Sequence, residues 1–148
     1  MLSHYQKIEG INSKVSEFSH ILLWDFDSTN LKEIEKELIR IQDKFFLSDI
    51  FIFSDNMKSF HAYCFTRVCF KDLLKILVET EYVDMDFIGY TIRNKKAVLR
   101  TSRKINRENI KLVKVLPSFE CKIPEKIGKE LYDCPLDKII KEINLEMK

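Results

Sequence analysis

The stretch Ile21-Leu22-Leu23-Trp24-Asp25-Phe26-Asp27 is a short apolar run that ends in two carboxylates separated by one residue. An apolar run of this length reads as a buried strand. Side chains on a strand alternate between faces, so Leu23, Asp25 and Asp27 share one face and Leu22, Trp24 and Phe26 the other. Trp24 and Phe26 can then enter a core while both Asp residues point into a cleft. Carboxylates that close raise each other's pKa unless a positive charge sits between them. A hard divalent cation meets that need, because Mg²⁺ takes one or two carboxylates together with phosphate oxygens. The plain alternative is a strand that runs into a polar turn with both Asp residues solvated.

A chain of 148 residues fits one domain with its own core. With 45% hydrophobic and 32% charged residues, a soluble globular class is expected. Only 3 Gly and 3 Pro are present, which excludes long Gly- or Pro-rich linkers. The start shows no signal-peptide core, and no apolar run is long enough to span a membrane. Cys64, Cys69, Cys121 and Cys134 form no Cys-x-x-Cys pair. Scattered thiols without a secretory signal imply an intracellular, cytoplasmic setting and no zinc site, with Cys64 and Cys69 buried.

The net charge is only +2 but is unevenly spread. Arg93, Lys95, Lys96, Arg100, Arg103, Lys104, Arg107, Lys111 and Lys114 follow one another with Glu108 as the single acid among them. Such a run is either a solvated surface or the footprint of a polyanion, nucleic acid or a nucleotide triphosphate.

Along the chain, residues 1–20 read as an N-terminal arm, 21–116 as a core and 117–148 as C-terminal helices. Asn30 can cap a helix, with Glu33 three residues on, and Leu31, Ile34, Leu38, Ile41 and Phe45 recur at helical spacing. Residues 49–54 and 59–65 read as two strands of a hairpin. Phe70, Leu73, Leu74, Leu77 and Val78 mark a second helix. A fourth strand is expected over 83–90, paired with Ala97-Val98-Leu99, and a further one over 111–116. Helices are expected over 125–132 and 135–147, with Pro135 in a first turn.

The order strand–helix–strand–strand–helix–strand is that of a ferredoxin-like or RNA-recognition-motif fold, an α+β antiparallel sheet with helices on one face. The other face is then free for ligands. In that register Asp25, Asp27, His61 and Asp86 converge on the free face.

These residues also form an ordered set of motifs: Asp25-Phe26-Asp27 closing a strand, Lys58-Ser59-Phe60-His61 opening another, then Met85-Asp86, and Leu99-Arg100-Thr101-Ser102-Arg103-Lys104 beyond. In this the stretch 21–104 resembles the catalytic core of the archaeo-eukaryotic primase superfamily, which includes the primase–polymerases. The resemblance implies a nucleotidyltransferase of DNA replication that adds nucleotides on a template by a two-metal mechanism. It implies that Asp25, Asp27 and Asp86 are catalytic and hold Mg²⁺ or Mn²⁺. Lys58, Ser59, His61, Arg100, Ser102 and Lys104 would then meet the nucleotide triphosphate. Arg93, Lys95, Lys96, Arg103 and Arg107 would meet the DNA template or primer–template. A helicase or a larger primase subunit would be a partner, and a membrane would not. Only about twenty residues precede the first motif, and no zinc-binding cysteine cluster or helicase domain is present. The resemblance therefore speaks for nucleotide and metal binding more than for unaided priming.

Two other classes fit parts of the pattern. Asp25-Phe26-Asp27-Ser28-Thr29 also resembles the opening of a haloacid-dehalogenase-type phosphatase, with Ser54 as that family's second motif. Against it, a strand at Ser59 follows too soon for a parallel crossover. A non-catalytic RNA-recognition-like module or degenerate primase subunit is the other, with Tyr63 and Tyr90 as stacking residues. Metal-dependent nucleotide binding separates the three.

Overall fold

The apolar run forms its strand. The computed structural model of the chain describes residues 10–55, 57–100 and 110–118. In chain order it has β1 (Gly10–Asn12), β2 (His20–Phe26), α1 (Leu31–Phe45), β3 (Ile50–Asp55), β4 (Ser59–Val68), α2 (Phe70–Glu79), α3 (Met85–Asn94), β5 (Val98–Arg100) and β6 (Lys111–Leu116). The fold is α+β with antiparallel sheets. Among the described residues no helix is long and apolar enough to cross a membrane.

Helix α1 starts where its cap dictates. The Glu33 N–H donates to Asn30 Oδ1 at 3.2 Å, and Ile34, Leu38 and Ile41 are buried from its inner face. It stops at Phe46, which takes the left-handed conformation. Helix α2 buries Leu73, Ile76 and Leu77. The Trp24 indole donates to Thr80 Oγ1, just past α2, at 3.1 Å. That bond sets the end of α2 over the face of β2 that carries Leu22, Trp24 and Phe26. Lys44 of α1 pairs with Glu79 of α2 at 2.7 Å, joining the two helices.

The main sheet has the order β2-β4-β3-β6. Since β4 is antiparallel to both β2 and β3, those two run parallel with β4 between them, and α1 makes the crossover. On the free edge of β2, Val83 pairs antiparallel with Phe26. Val83 therefore runs parallel to β4 across β2, and α2 makes that second crossover. Two such interleaved units are compatible with a ferredoxin-like α+β fold, with β6 added beside β3. The parallel sheet that the phosphatase reading needs is not found among the described residues.

Several expectations are corrected. The strand expected over 83–90 shrinks to the single pair at Val83, and α3 follows at once. Asp84 is its N-cap and accepts from the Asp86 N–H at 3.1 Å, while Phe87, Ile88 and Thr91 are buried at helical spacing. The alternation Val83-Asp84-Met85-Asp86-Phe87 imitates a strand, but the cap and the burial period decide for helix. Ala97-Val98-Leu99 does not pair with that segment: β5 pairs with β1, Gly10 opposite Arg100. Part of the expected arm is thus strand. The face opposite the helices is not free. Leu23, Phe53, Tyr63 and Phe65 on it are no more than 3% exposed, and Phe53 and Tyr63 meet edge to face at 5.1 Å. Tyr63 is therefore packing and offers no stacking surface. Cys64 is buried as expected, whereas Cys69 is exposed. Cys121, Cys134 and the helices expected over 125–132 and 135–147 lie outside the described residues.

Candidate functional site

Register alone assembles the centre of the site. Asp25 on β2 stands directly opposite His61 on β4, and His61 directly opposite Phe53 on β3. Cross-strand partners share a face, so one row runs from the carboxylate through the imidazole into the apolar floor. His61 Nε2 is 3.4 Å from Asp25 Oδ1, with side chains 19% and 32% exposed. The row is covered at Phe53 and opens to solvent at both ends, at this pair and at Leu112 on β6.

Two more carboxylates converge there. Strand β2 ends at Phe26, and Asp27 follows it, exposed. The Asp27 N–H donates to the Tyr82 carbonyl at 2.7 Å, and the Asp84 N–H donates to the Asp25 carbonyl at 2.8 Å. These bonds flank the Val83–Phe26 pair and stitch the start of α3 to the end of β2. Burial pushes the Asp25 carboxyl up to about 6, and the charges of Asp84 and Asp27 push the same way. The carboxylate cluster is therefore Asp25, Asp27 and Asp84. Asp86, expected as the third member, lies in the first turn of α3 and is exposed.

On the strand expected from the sequence Asp84 and Asp86 share one face and compete for the metal, and the place of Asp84 nearer the preceding turn favours Asp86. Two signals pointed to Asp84. It precedes a helical Phe87–Ile88–Thr91 pattern as a cap residue should, and Val83-Asp84 is as good an apolar–Asp pair as Met85-Asp86.

The hairpin brings Lys58 and Ser59 to the same end of the sheet as Asp25. Lys58 is exposed in the turn, its N–H donating to the Asp55 carbonyl at 3.2 Å. Ser59 opens β4, half-buried, and its carbonyl accepts from Ser54 Oγ at 2.8 Å. The bases beyond α3 are not brought there. Helix α3 runs away from Asp25 for ten residues, roughly 15 Å. At its far end Lys95 stands over the Phe70 ring at 5.7 Å, and Phe70 packs on His20 at the opposite end of β2. Lys95 and its neighbour Lys96 belong to that end, while the Arg93 guanidinium lies back against Gly89 within α3. The backbone of Arg100 closes β5 opposite Gly10, and Lys111 and Lys114 are exposed on the edge strand β6. Ser102, Arg103, Lys104 and Arg107 lie outside the described residues.

The donor set around Asp25 is carboxylate oxygen, which suits Mg²⁺ or Mn²⁺. Among the described residues no three His, Cys, Asp or Glu side chains form a group that could hold a metal ion. A metal held by one or two carboxylates and completed by phosphate oxygens needs no such group, so the residues fit an ion that arrives with a phosphate ligand. Comparison with known proteins yields no match to a family model, a curated protein or a solved structure.

Proposed function

We propose that the chain is a metal-dependent nucleotidyltransferase with a ferredoxin-like core of the primase–polymerase kind, acting on nucleotide triphosphates and a DNA primer–template. The observation that carries this reading is the opposition of Asp25 and His61 on adjacent antiparallel strands, with Asp27 and Asp84 gathered at the same strand end. The adjacency of the Asp-x-Asp strand and the Ser-x-His strand supports the reading.

In this reading one or two of the carboxylates of Asp25, Asp27 and Asp84 hold Mg²⁺ or Mn²⁺ together with phosphate oxygens, and the ion lowers the pKa of an attacking hydroxyl and neutralises charge on phosphate. Asp84 takes the part first expected of Asp86. His61 donates to a phosphate oxygen from beside Asp25, and Lys58 and Ser59 meet the triphosphate from the neighbouring turn. The buried Phe53 and Leu23 exclude water from beneath the pair, which strengthens every charge interaction above them. Lys95, past the far end of α3 and over Phe70, stands away from Asp25, and template contact is the part proposed for it and for its neighbours Arg93 and Lys96. A helicase or larger primase subunit remains a proposed partner.

The non-catalytic binding module is the weaker reading. The sheet face that such a module uses for stacking is here filled by its own buried aromatics. Titration of a nucleoside triphosphate with and without Mn²⁺ tests the proposal. Binding that requires Mn²⁺ and is lost in Asp25→Asn supports it; binding indifferent to Mn²⁺ refutes it.

A further inference from the structure

The turn over 79–84, which delivers Asp84, is fastened more heavily than a surface turn requires. Three consecutive residues are each held by a side chain from elsewhere. The Glu79 carbonyl accepts from Arg40 Nη2 at 2.9 Å, Thr80 Oγ1 accepts from the Trp24 indole at 3.1 Å, and the Glu81 N–H donates to Glu37 Oε2 at 2.5 Å. Glu37 is only 6% exposed. Arg40 grips its carboxylate twice, Nε to Oε1 at 2.5 Å and Nη2 to Oε2 at 3.0 Å. Burial pushes the Glu37 carboxyl up, but the Arg40 bonds and the Glu81 N–H outweigh it and bring it below the usual range. The acceptor is thus ionised at neutral pH.

Beyond this clamp, Tyr82 takes a left-handed φ of 69°, which a bulky residue adopts only where its surroundings impose it. The chain then closes on β2 through the Tyr82–Asp27 and Asp84–Asp25 backbone bonds. Helix α1 is already anchored by Ile34, Leu38 and Ile41. Arg40 is half exposed, so solvent screens the pair and its own attraction adds little net stability. What the pair supplies is a fixed place for the turn.

We infer that the Glu37–Arg40 pair of α1 is a positioning device that clamps residues 79–81 and so holds the Asp84 carboxylate beside Asp25 and Asp27. Its consequence for metal binding rests on the proposed function; the clamp itself rests on the bonds alone.

Amide hydrogen exchange followed by NMR tests the clamp in Glu37→Ala, and in Glu37→Gln, which keeps an acceptor for Glu81 and a better chance of folding. The Asp27 and Asp84 amides should exchange about tenfold faster or more in the Ala variant, and by less in the Gln variant. Amides of the β3–β4 ladder should keep their wild-type rates. Mn²⁺ titrated into the same samples should bind more weakly by a similar factor. A uniform rise across the ladder would make the pair a general stabiliser, and unchanged Asp27 and Asp84 amides would remove the clamp; either overturns the inference. Wild-type protein that binds no Mn²⁺ would end the metal reading, and the exchange rates would still decide the clamp.

Discussion

Asp84 donates its backbone N–H to the carbonyl of Asp25 at 2.8 Å, while burial first and the Asp84 carboxylate second keep the Asp25 carboxyl up at about 6. One bond of the fold thus draws together two groups that repel. The clamped turn holds the two together against the repulsion, which the apolar floor of Leu23 and Phe53 strengthens by excluding water. Local conflict of this kind concentrates where function demands it.

Neutralising Asp25 should relieve that conflict, with a definite pH signature. The Asp25 pKa is raised from 3.8 to about 6 on folding, so the folded state holds more protons across that interval. Its contribution to stability is therefore favourable at low pH and lost as pH rises through the interval. Asp25→Asn should melt a few degrees above wild type at pH 7 and level with it below about pH 4. His20, lowered by burial and by Lys14, slopes the opposite way, but it is common to both proteins and cancels. Paired melting curves at the two pH values check this, and a gap that persists at low pH counts against it.

Asp84 and Asp86 should separate cleanly as Asn variants. Asn caps a helix about as well as Asp, so Asp84→Asn should keep α3. Its Mn²⁺ affinity should fall by about tenfold or more, the loss typical when a group supporting a metal is removed. Asp86→Asn should change it little. Isothermal titration of Mn²⁺ into both variants decides, and the reverse ranking would return the role to Asp86.

Thr80→Val removes the oxygen that accepts from the buried Trp24 indole. An indole N–H left unpaired in the core costs about 1–3 kcal/mol. Urea unfolding should show that loss with an unchanged slope, and a loss under about 0.5 kcal/mol would show that the bond contributes little net stability.

His61→Ala should weaken nucleotide binding by about ten- to a hundredfold, the worth of one charge-assisted hydrogen bond. Mn²⁺ binding without nucleotide should hardly change, since hard cations prefer the carboxylate oxygens. Separate titrations of Mn²⁺ and nucleotide make the distinction. Lost Mn²⁺ affinity with intact nucleotide affinity would make His61 a metal ligand instead.

Much of the scaffold was legible in the sequence. Asn30, Glu33 and the Leu31-to-Phe45 spacing fixed α1, and the two short apolar runs joined by a polar turn fixed the β3–β4 hairpin with Asp25 and His61 on one face. These features are local, and their periods are strong. The α3 segment was misread because residues 83–87 alternate like a strand, and only the Asp84 cap and the later apolar spacing reveal the helix. That error chose Asp86 over Asp84. The β1–β5 pairing joins residues about ninety positions apart, and no local pattern announces it. Nor did any sequence signal mark Glu37, whose role depends on where Glu81 lands.

The most direct test of the account is extension of a primed DNA template with labelled nucleoside triphosphates and Mg²⁺ or Mn²⁺. Wild type should add nucleotides complementary to the template, and Asp25→Asn and Asp27→Asn, folded by circular dichroism, should add none. Wild-type protein that adds nothing with either ion, or variants that extend at the wild-type rate, would contradict the assignment of these carboxylates to nucleotidyl transfer.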